Sequence, residues 1–315
     1  MESLANKYRP TIFDDVVGQD ITVNILKKQL SNNSFSHTML FVGNAGCGKT
    51  TCAKILAKQI HAEVFDLDCA SHNGVADIKQ IVSIAKTPPL VYDYKVFILD
   101  ECHTLSSAAW PALLITLEEN IPHSIFILCT TDVQKVPNTI ISRSLRFNFM
   151  PIDQKTIVDR LAYICEKENI AYKDDSLHII AKSALGGMRQ AITNLDKCNM
   201  YGDINPQNVR NVLNIVSDDV LNNIYNAIIS QNNLAIIDLI TSLYSEGFEL
   251  HLFIKQFLDY CLANSINTQL IDCILTIMQD IRYDNDPKNV IIARFITYKY
   301  IKQGDLDGTA RKTIE

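Results

Sequence analysis

The sequence reads Gly43-Asn44-Ala45-Gly46-Cys47-Gly48-Lys49-Thr50 directly after the apolar run 38–42 and directly before a run that ends at Lys58. This order predicts a strand, a glycine loop and a helix with the G-x-x-x-x-G-K-[ST] spacing. Glycines let backbone N–H groups turn inward around phosphates, and the start of the helix adds the positive end of its dipole. Lys49 is predicted to reach the β- and γ-phosphates, and the Thr50 hydroxyl to ligate Mg²⁺. The chain is therefore predicted to bind a nucleoside triphosphate.

The bulk composition is typical of a globular protein of two or three domains, with 315 residues, 47% of them hydrophobic and 20% charged. The net charge of −6 gives no overall basic excess, so we expect any DNA contact to come from a local stripe of charge or from a surface shared by several subunits. Residues 1–7 lack the apolar core of a signal peptide, and no run of apolar residues is long enough to span a membrane. The nine cysteines are scattered singly, which indicates reduced thiols in a cytoplasmic protein and no zinc site.

The first half of the chain alternates between strand-like and helix-like patterns. Apolar runs at 62–69, 95–103, 124–132 and 145–149 alternate with amphipathic stretches, which predicts an α/β core around a parallel sheet. Residues 7–19 are predicted to be an extended arm. Asp20 to Leu30 is predicted to be a helix with Ile21, Ile25 and Leu26 on one face.

The second half of the chain is predicted to be all helical. Strand patterns end near Asp153, and Gly186-Gly187 separates two of the three helices expected before residue 201. Five further amphipathic helices are predicted to begin near Asp218, Asn233, Glu249, Thr268 and Pro287. These patterns predict three domains: an α/β nucleotide-binding domain at 1–152, a small helical domain at 153–215 and a larger helical domain at 216–315.

Asp100-Glu101 lies at the tip of the apolar strand predicted in 95–103. In P-loop enzymes one acid holds Mg²⁺ through water and the next polarises the attacking water, roles that suit Asp100 and Glu101 in that order. A strand parallel to the P-loop strand would deliver both carboxylates beside the γ-phosphate. The alternative is a solvated pair of acids at the end of a strand.

Three further residues are candidates that the local pattern leaves open. Thr131 ends an apolar strand and either contacts the γ-phosphate or is structural. Arg143 lies near the rim of the predicted sheet, where an arginine either forms a salt bridge or reaches a neighbouring subunit's nucleotide. Arg189 opens a helix after Gly186-Gly187 and either closes onto the nucleotide or lies in solvent.

A series of motifs in a fixed order resembles the bacterial clamp-loader ATPases, the gamma/tau subunits of DNA polymerase III. The resemblance covers about the first two hundred residues, and the remainder is similar mainly in being helical. The matching blocks are residues 8–10, 13–19, 43–50, 100–106, 112–119, 130–137, 141–147 and 187–191.

This resemblance implies an AAA+ ATPase in which a parallel-sheet P-loop domain is followed by an all-helical lid and an all-helical collar. In that family the collar holds the subunits in a ring-like pentamer with other loader subunits, homomeric or mixed. The family's cofactors are ATP and Mg²⁺. Its task is to open a sliding clamp and place it on primer–template DNA. A DNA surface is then expected inside the ring, at helix starts such as those after Asn73 and Ser106.

The resemblance also implies residue roles. Lys49 and Thr50 bind phosphate and Mg²⁺, with Asp100 as the second metal-side ligand and Glu101 acting on water. Thr131 matches the first sensor and Arg189 the second, and Arg143 matches the arginine finger that acts in trans on the adjacent subunit. The adenine side is carried by Tyr8, Arg9, Val17 and Gly18. The phosphate-binding segment is Gly43, Asn44, Ala45, Gly46, Cys47, Gly48, Lys49, Thr50 and Thr51.

Departures from the family pattern refine these expectations. Residues 60–63 occupy the place of the family's four-cysteine zinc module, so no zinc is expected. Ile115 stands where the family often has lysine, and Ser144 stands where it has cysteine after the finger arginine. The sequence stops after the collar, so the tail of the tau form is not expected. These features suit a compact loader, either phage-encoded or from a divergent bacterium.

Two other functions remain as alternatives. A junction-migration or initiator type of AAA+ protein is expected to carry a C-terminal winged-helix domain, and 217–315 shows no strand pattern for one. A non-hydrolysing scaffold subunit of the loader is expected to lose catalytic residues, whereas Lys49, Thr50 and Glu101 are intact.

Overall fold

The computed structural model describes residues 2–119, 121–264, 267–284 and 286–298. The chain divides into two compact units, one up to Asn205 and one from Pro206 onward. This division lies ahead of the predicted collar start at 216, and the three-domain division stays a prediction. Each unit has a hydrophobic core of its own.

The first unit is built on a sheet of five parallel strands in the order β2-β3-β4-β1-β5. Its inner strands β3 and β4 are buried almost throughout, as the continuous apolar runs predict. The parallel α/β core is therefore confirmed. The strands are β1 (Thr38–Val42), β2 (Ala62–Asp68), β3 (Tyr94–Asp100), β4 (Ser124–Thr130) and β5 (Leu145–Asn148).

Helices cover both faces of this sheet. Alternate side chains of β1 enter different cores, with Met39 and Phe41 on one face and Leu40 on the other. Parallel pairing within the sheet places the carboxyl ends of β1, β3 and β4 beside one another. The P-loop and the acidic pair lie at two of these ends. The helices are α1 (Leu4–Lys7), α2 (Asp20–Ser31), α3 (Lys49–Gln59), α4 (Val75–Lys86), α5 (Ala109–Glu118) and α6 (Asn138–Ile141).

The N-terminal segment differs from the prediction in two ways. The expected extended arm contains a 3₁₀ turn at Phe13–Asp15 and begins with the end of α1. In α2 Leu26 is buried as predicted, but Ile21 and Ile25 are exposed, at 79% and 43%, and Val23 is buried instead. Long-range hydrogen bonds set the rotation of this helix: the Thr22 hydroxyl donates to the Asn148 carbonyl over 3.2 Å.

Three helices complete the first unit: α7 (Gln154–Glu168), α8 (Asp174–Ser183) and α9 (Met188–Tyr201). Asp153 caps α7, since its carboxylate accepts the Thr156 N–H over 2.9 Å. Gly186 and Gly187 form the connection into α9, as their position in the sequence predicts.

The second unit is helical in its described residues. Ser217, Asn232 and Asn267 cap α11, α12 and α14 through side-chain oxygens. The five predicted helices of this region are confirmed, and residues 299–315 of the predicted collar lie outside the described residues. The helices are α10 (Pro206–Leu213), α11 (Asp218–Ile229), α12 (Asn233–Ser245), α13 (Leu250–Asn264), α14 (Thr268–Asp280) and α15 (Pro287–Thr297).

Thr116 offers a direct test of the packing around α5. Its side chain is 1% exposed, and its hydroxyl has no hydrogen-bond partner among the described residues. We expect Thr116→Val to raise the free energy of unfolding by about 1 kcal/mol, because an unsatisfied buried hydroxyl is replaced by a methyl group of similar shape. Urea denaturation measures the change, and a destabilised variant would show that the hydroxyl has a partner.

Candidate nucleotide-binding site

The P-loop connects β1 to α3, as predicted. Gly46 and Gly48 have φ angles of +76° and +104°, which L-residues with side chains rarely adopt. Gly43 is restricted by space, since an added Cβ would lie 2.3 Å from the Phe149 carbonyl oxygen. The glycines therefore permit both the curl of the loop and its close approach to the segment after β5.

Lys49 lies at the start of α3 with its ammonium inside the loop. The side chain is 5% exposed, and Nζ donates to the carbonyls of Gly43 and Asn44 over 2.8 and 2.9 Å. The backbone of the loop thus holds the ammonium within the loop.

The two predicted magnesium ligands are brought together at the ends of neighbouring segments. The Thr50 hydroxyl donates to Asp100 Oδ2 over 2.7 Å, and Asp100 Oδ1 accepts the Glu101 N–H over 3.1 Å. A hydroxyl and a carboxylate are oxygen donors of the kind that Mg²⁺ prefers. The donor set therefore fits the ion.

Glu101 has a left-handed backbone conformation with φ of +48° at the end of β3. Its Oε2 accepts the Thr131 hydroxyl over 3.0 Å and lies 3.3 Å from His103 Nδ1. The same imidazole nitrogen lies 3.2 Å from Thr130 Oγ1. Because β3 and β4 are adjacent, the predicted catalytic acid and the predicted first sensor meet. From the sequence, His103 could equally orient a nearby group or simply start a helix; the structure brings it beside Glu101.

We call α7, α8 and α9 the lid helices; the start of α9 approaches the P-loop directly. An added Cβ on Gly187 would lie 3.0 Å from the Ala45 carbonyl oxygen, and one on Gly46 would lie 3.4 Å from Arg189 Cβ. The Cys47 thiol contacts the Gly186 carbonyl over 3.9 Å. The start of α9 therefore lies against the phosphate-binding loop, and Arg189 lies beside it.

A cavity of about 430 Å³ lies in this part of the first unit. Its size suits a small-molecule ligand. Gly18 is not among the lining residues, but an added Cβ there would lie 2.9 Å from the lining residue Ile152. Predicted residues that line the cavity are Tyr8, Arg9, Val17, Ala45, Gly46, Cys47, Gly48, Lys49, Thr50, Thr51, Asp100, Glu101 and Arg189. Unpredicted lining residues include Asn6, Asp15, Val16, Arg160, Met188 and Thr193.

The N-terminal segment joins the cavity to the lid. Arg9 Nε donates to Thr51 Oγ1 over 3.1 Å, which links the segment to α3. The Tyr8 hydroxyl donates to Glu168 on α7, and Lys7 Nζ lies 2.7 Å from the same carboxylate. Arg160 Nη2 donates to the Tyr8 carbonyl over 3.3 Å. No sequence signal indicated these lid contacts, because they join residues far apart in the chain.

These contacts shift two ionisations. Burial and the hydrogen bond to Glu168 raise the pKa of Tyr8 to about 12. Hydrogen bonds from Lys7 and Tyr8 lower the pKa of Glu168 below its usual value. The Glu168 carboxylate is therefore favoured in the folded protein.

The Glu168 contact predicts a pH-dependent stability. A carboxyl with a lowered pKa in the folded state stabilises the fold above its unfolded pKa, and this contribution is lost as the pH falls through the folded pKa. We expect Glu168→Gln to lower the Tm at neutral pH and to approach the wild-type Tm in acid. Thermal unfolding between neutral and acidic pH measures this, with Glu166→Gln as a control that removes a charge from the same helix. A difference that persists in acid would contradict the prediction.

Arg143 lies between α6 and β5 and does not line the cavity. Its Nη2 is 2.8 Å from Glu118 Oε1, and its Nη1 donates to the Thr139 carbonyl over 3.0 Å. The side chain is 43% exposed. A role at this chain's own cavity has no support in this geometry, and a role on a neighbouring subunit stays a prediction.

All nine cysteines are unpaired and buried. Burial raises the pKa of both Cys52 and Cys69 to about 12, which keeps these thiols protonated.

Within the described ranges, no three His, Cys, Asp or Glu side chains are grouped to hold a metal ion. In the same ranges no helix has both the length and the apolar character needed to cross a membrane.

Two family models match the first unit, one over its sheet and one over the helices α7 to α9. Residues 39–152 match the ATPase family associated with various cellular activities (AAA), and residues 156–203 match the ATPase lid domain of DNA polymerase III clamp-loader subunits. The first unit therefore contains an AAA ATPase domain followed by a clamp-loader ATPase lid domain. The resemblance and the fold class inferred from the sequence motifs are thereby confirmed.

Curated relatives of this chain carry consistent names. It is 41% identical over 228 residues to DNA polymerase III subunit tau of Bacillus subtilis, which covers 64% of this chain and 40% of that protein. It is 33% identical over 242 residues to DNA polymerase III subunit gamma of Buchnera aphidicola, which covers 69% of this chain and 65% of that protein. The chain thus spans less than two thirds of the length of either relative.

Among solved structures, the Holliday junction branch migration motor RuvB of Thermotoga maritima resembles this chain with a TM-score of 0.56 at 20% identity. The match covers 81% of this chain and 91% of that chain. At this identity the similarity shows a shared fold alone.

Proposed function

We propose that this AAA ATPase hydrolyses ATP as the motor subunit of a sliding-clamp loader. The observation that best supports hydrolysis is the 3.0 Å hydrogen bond from the Thr131 hydroxyl to Glu101. Next to it, the Thr50 hydroxyl donates a hydrogen bond to Asp100. This part of the proposal is supported by an acid that can act on water and a hydroxyl that can reach the γ-phosphate, both near the P-loop. The names of the relatives support the clamp-loading part.

The residue roles in this proposal follow from position. Lys49 neutralises phosphate charge from inside the loop, and Arg189 approaches from the lid. Thr50 and Asp100 would hold Mg²⁺, which neutralises charge that develops on the phosphates. Glu101 orients water and accepts its proton, while Thr131 exchanges its bond to Glu101 for one to phosphate.

The alternatives receive less support. The described residues of the second unit are helical and contain no strand, whereas a winged-helix domain of a junction-migration or initiator protein needs strands. A scaffold subunit does not require the assembled set of Lys49, Asp100 and Glu101. The same set is what a hydrolytic subunit needs.

The proposed partners are other loader subunits, a sliding clamp and primer–template DNA, in a ring-like pentamer in the cytoplasm. Nine reduced, buried thiols support a reducing compartment. The loops before α4 and α5 lie together, because the Ser106 N–H donates to the Asn73 carbonyl over 3.1 Å. Adjacent helix starts suit a phosphate backbone without a basic protein overall.

The proposal predicts that ATP turnover rises when a sliding clamp and primer–template DNA are both present, above the rate with either alone. Phosphate release by the purified chain, with the clamp and DNA added separately and together, measures this. If neither the clamp nor the DNA changes the rate, the clamp-loading part of the proposal fails and only the ATPase activity stands. An absence of turnover under every condition would favour the scaffold alternative.

A further inference from the structure

We propose that Glu118 is a positioning residue for the Arg143 finger, an inference that rests on the proposed function. Glu118 is the last residue of α5, and its Oε1 lies 2.8 Å from Arg143 Nη2. The other terminal nitrogen of the guanidinium donates to the Thr139 carbonyl over 3.0 Å. Both terminal nitrogens are therefore anchored to this chain's own surface.

The anchors restrain the side chain and leave donors available. A guanidinium carries five N–H donors, so bonds to Glu118 and Thr139 leave others for a phosphoryl group outside the chain. The side chains of Arg143 and Glu118 are 43% and 46% exposed, so a partner can reach the pair. An otherwise flexible arginine is thus held in one orientation before any neighbour docks.

The backbone around Arg143 has separate supports. The Arg143 N–H donates to the Ile140 carbonyl over 3.1 Å, and the Ser144 hydroxyl donates to the same carbonyl over 2.8 Å. Loss of the Glu118 carboxylate therefore frees the arginine side chain without releasing the turn. Since exposed ion pairs contribute little to stability, a purely structural role would leave turnover almost unchanged.

Glu119 supplies a matched control. It is the next residue along, its side chain is 40% exposed, and it pairs with Lys86 on α4 at 2.9 Å. Glu119→Ala removes the same charge and also breaks an ion pair, but it does not touch Arg143. The two alanine variants should have similar Tm values and differ in rate.

The test measures ATP turnover by the full chain at rising chain concentration, alone and with clamp and primer–template DNA. Glu118→Ala should lower kcat about tenfold, because a finger displaced by about 1 Å loses rate steeply. KM for ATP should stay unchanged, since this chain's own cavity is untouched. Glu118→Gln should stay near wild type because its amide oxygen accepts the same bond, and Glu119→Ala should match wild type. In an Arg143→Ala background, Glu118→Ala should have no further effect.

Each other result has a distinct meaning. If Glu118→Ala turns over like Glu119→Ala while Arg143→Ala is slow, the positioning role is overturned and the proposed finger stands. A further loss in the Arg143→Ala background, or a raised KM, would assign Glu118 a structural role instead. If Arg143→Ala turns over normally, the finger assignment fails and this inference with it. If wild type does not turn over at all, the proposed hydrolytic function itself fails.

Discussion

Replacing Glu101 with glutamine should stop ATP turnover while leaving ATP binding intact. Glutamine keeps the length of the side chain, and its amide oxygen can still accept the Thr131 hydroxyl now 3.0 Å from the carboxylate. It cannot accept a proton from water as a carboxylate does. We expect kcat to fall by roughly 10²- to 10⁴-fold, the usual contribution of a general base.

Two measurements separate binding from chemistry in this variant. Fluorescent-nucleotide titration should give an ATP Kd near that of wild type, and phosphate release should be nearly absent. Glu119→Gln is the control for the loss of one acidic side chain, because Glu119 pairs with Lys86 on α4 and not with Thr131. Normal turnover by Glu101→Gln would show that another residue is the general base. Weakened ATP binding would show that Glu101 holds the nucleotide.

The sequence predicted most of the site because its central elements are local patterns. The P-loop spacing fixes Lys49 and Thr50 within one strand–loop–helix unit, and a buried parallel strand must end where Asp100 and Glu101 do. Thr131 joins them because β4 lies between β1 and β3, a strand order that hydrophobic periodicity does not specify.

What the sequence could not predict depends on contacts between distant segments. The rotation of α2 is set by hydrogen bonds to the end of β5, so hydrophobic periodicity alone placed Ile21 on the wrong face. The link from Tyr8 to Glu168 joins residues 160 positions apart. His103 gained its place beside Glu101 only through the conformation of the turn after β3. Each of these features requires the folded chain.

Arg143→Ala should abolish most hydrolysis in the assembled oligomer while each subunit still binds ATP. Arg143 lies outside its own chain's cavity and is exposed at the surface, a placement suited to a neighbour's nucleotide. An arginine finger contributes about 10³- to 10⁵-fold to kcat in phosphoryl transfer, so we expect a loss of at least about 10³-fold. Single-turnover hydrolysis and nucleotide titration on the assembled protein measure the two quantities separately.

Mixing subunits distinguishes action in trans from action in cis. An Arg143→Ala subunit keeps an intact hydrolytic site, and a Glu101→Gln subunit keeps an intact finger. When these two inactive variants assemble together, the finger of the second should restore hydrolysis at the site of the first. The control mixture replaces the second variant with the double variant Glu101→Gln/Arg143→Ala, which offers no finger and should restore nothing. If the first mixture is as inactive as the control, Arg143 acts within its own chain or not at all, and the nucleotide site is not shared between subunits.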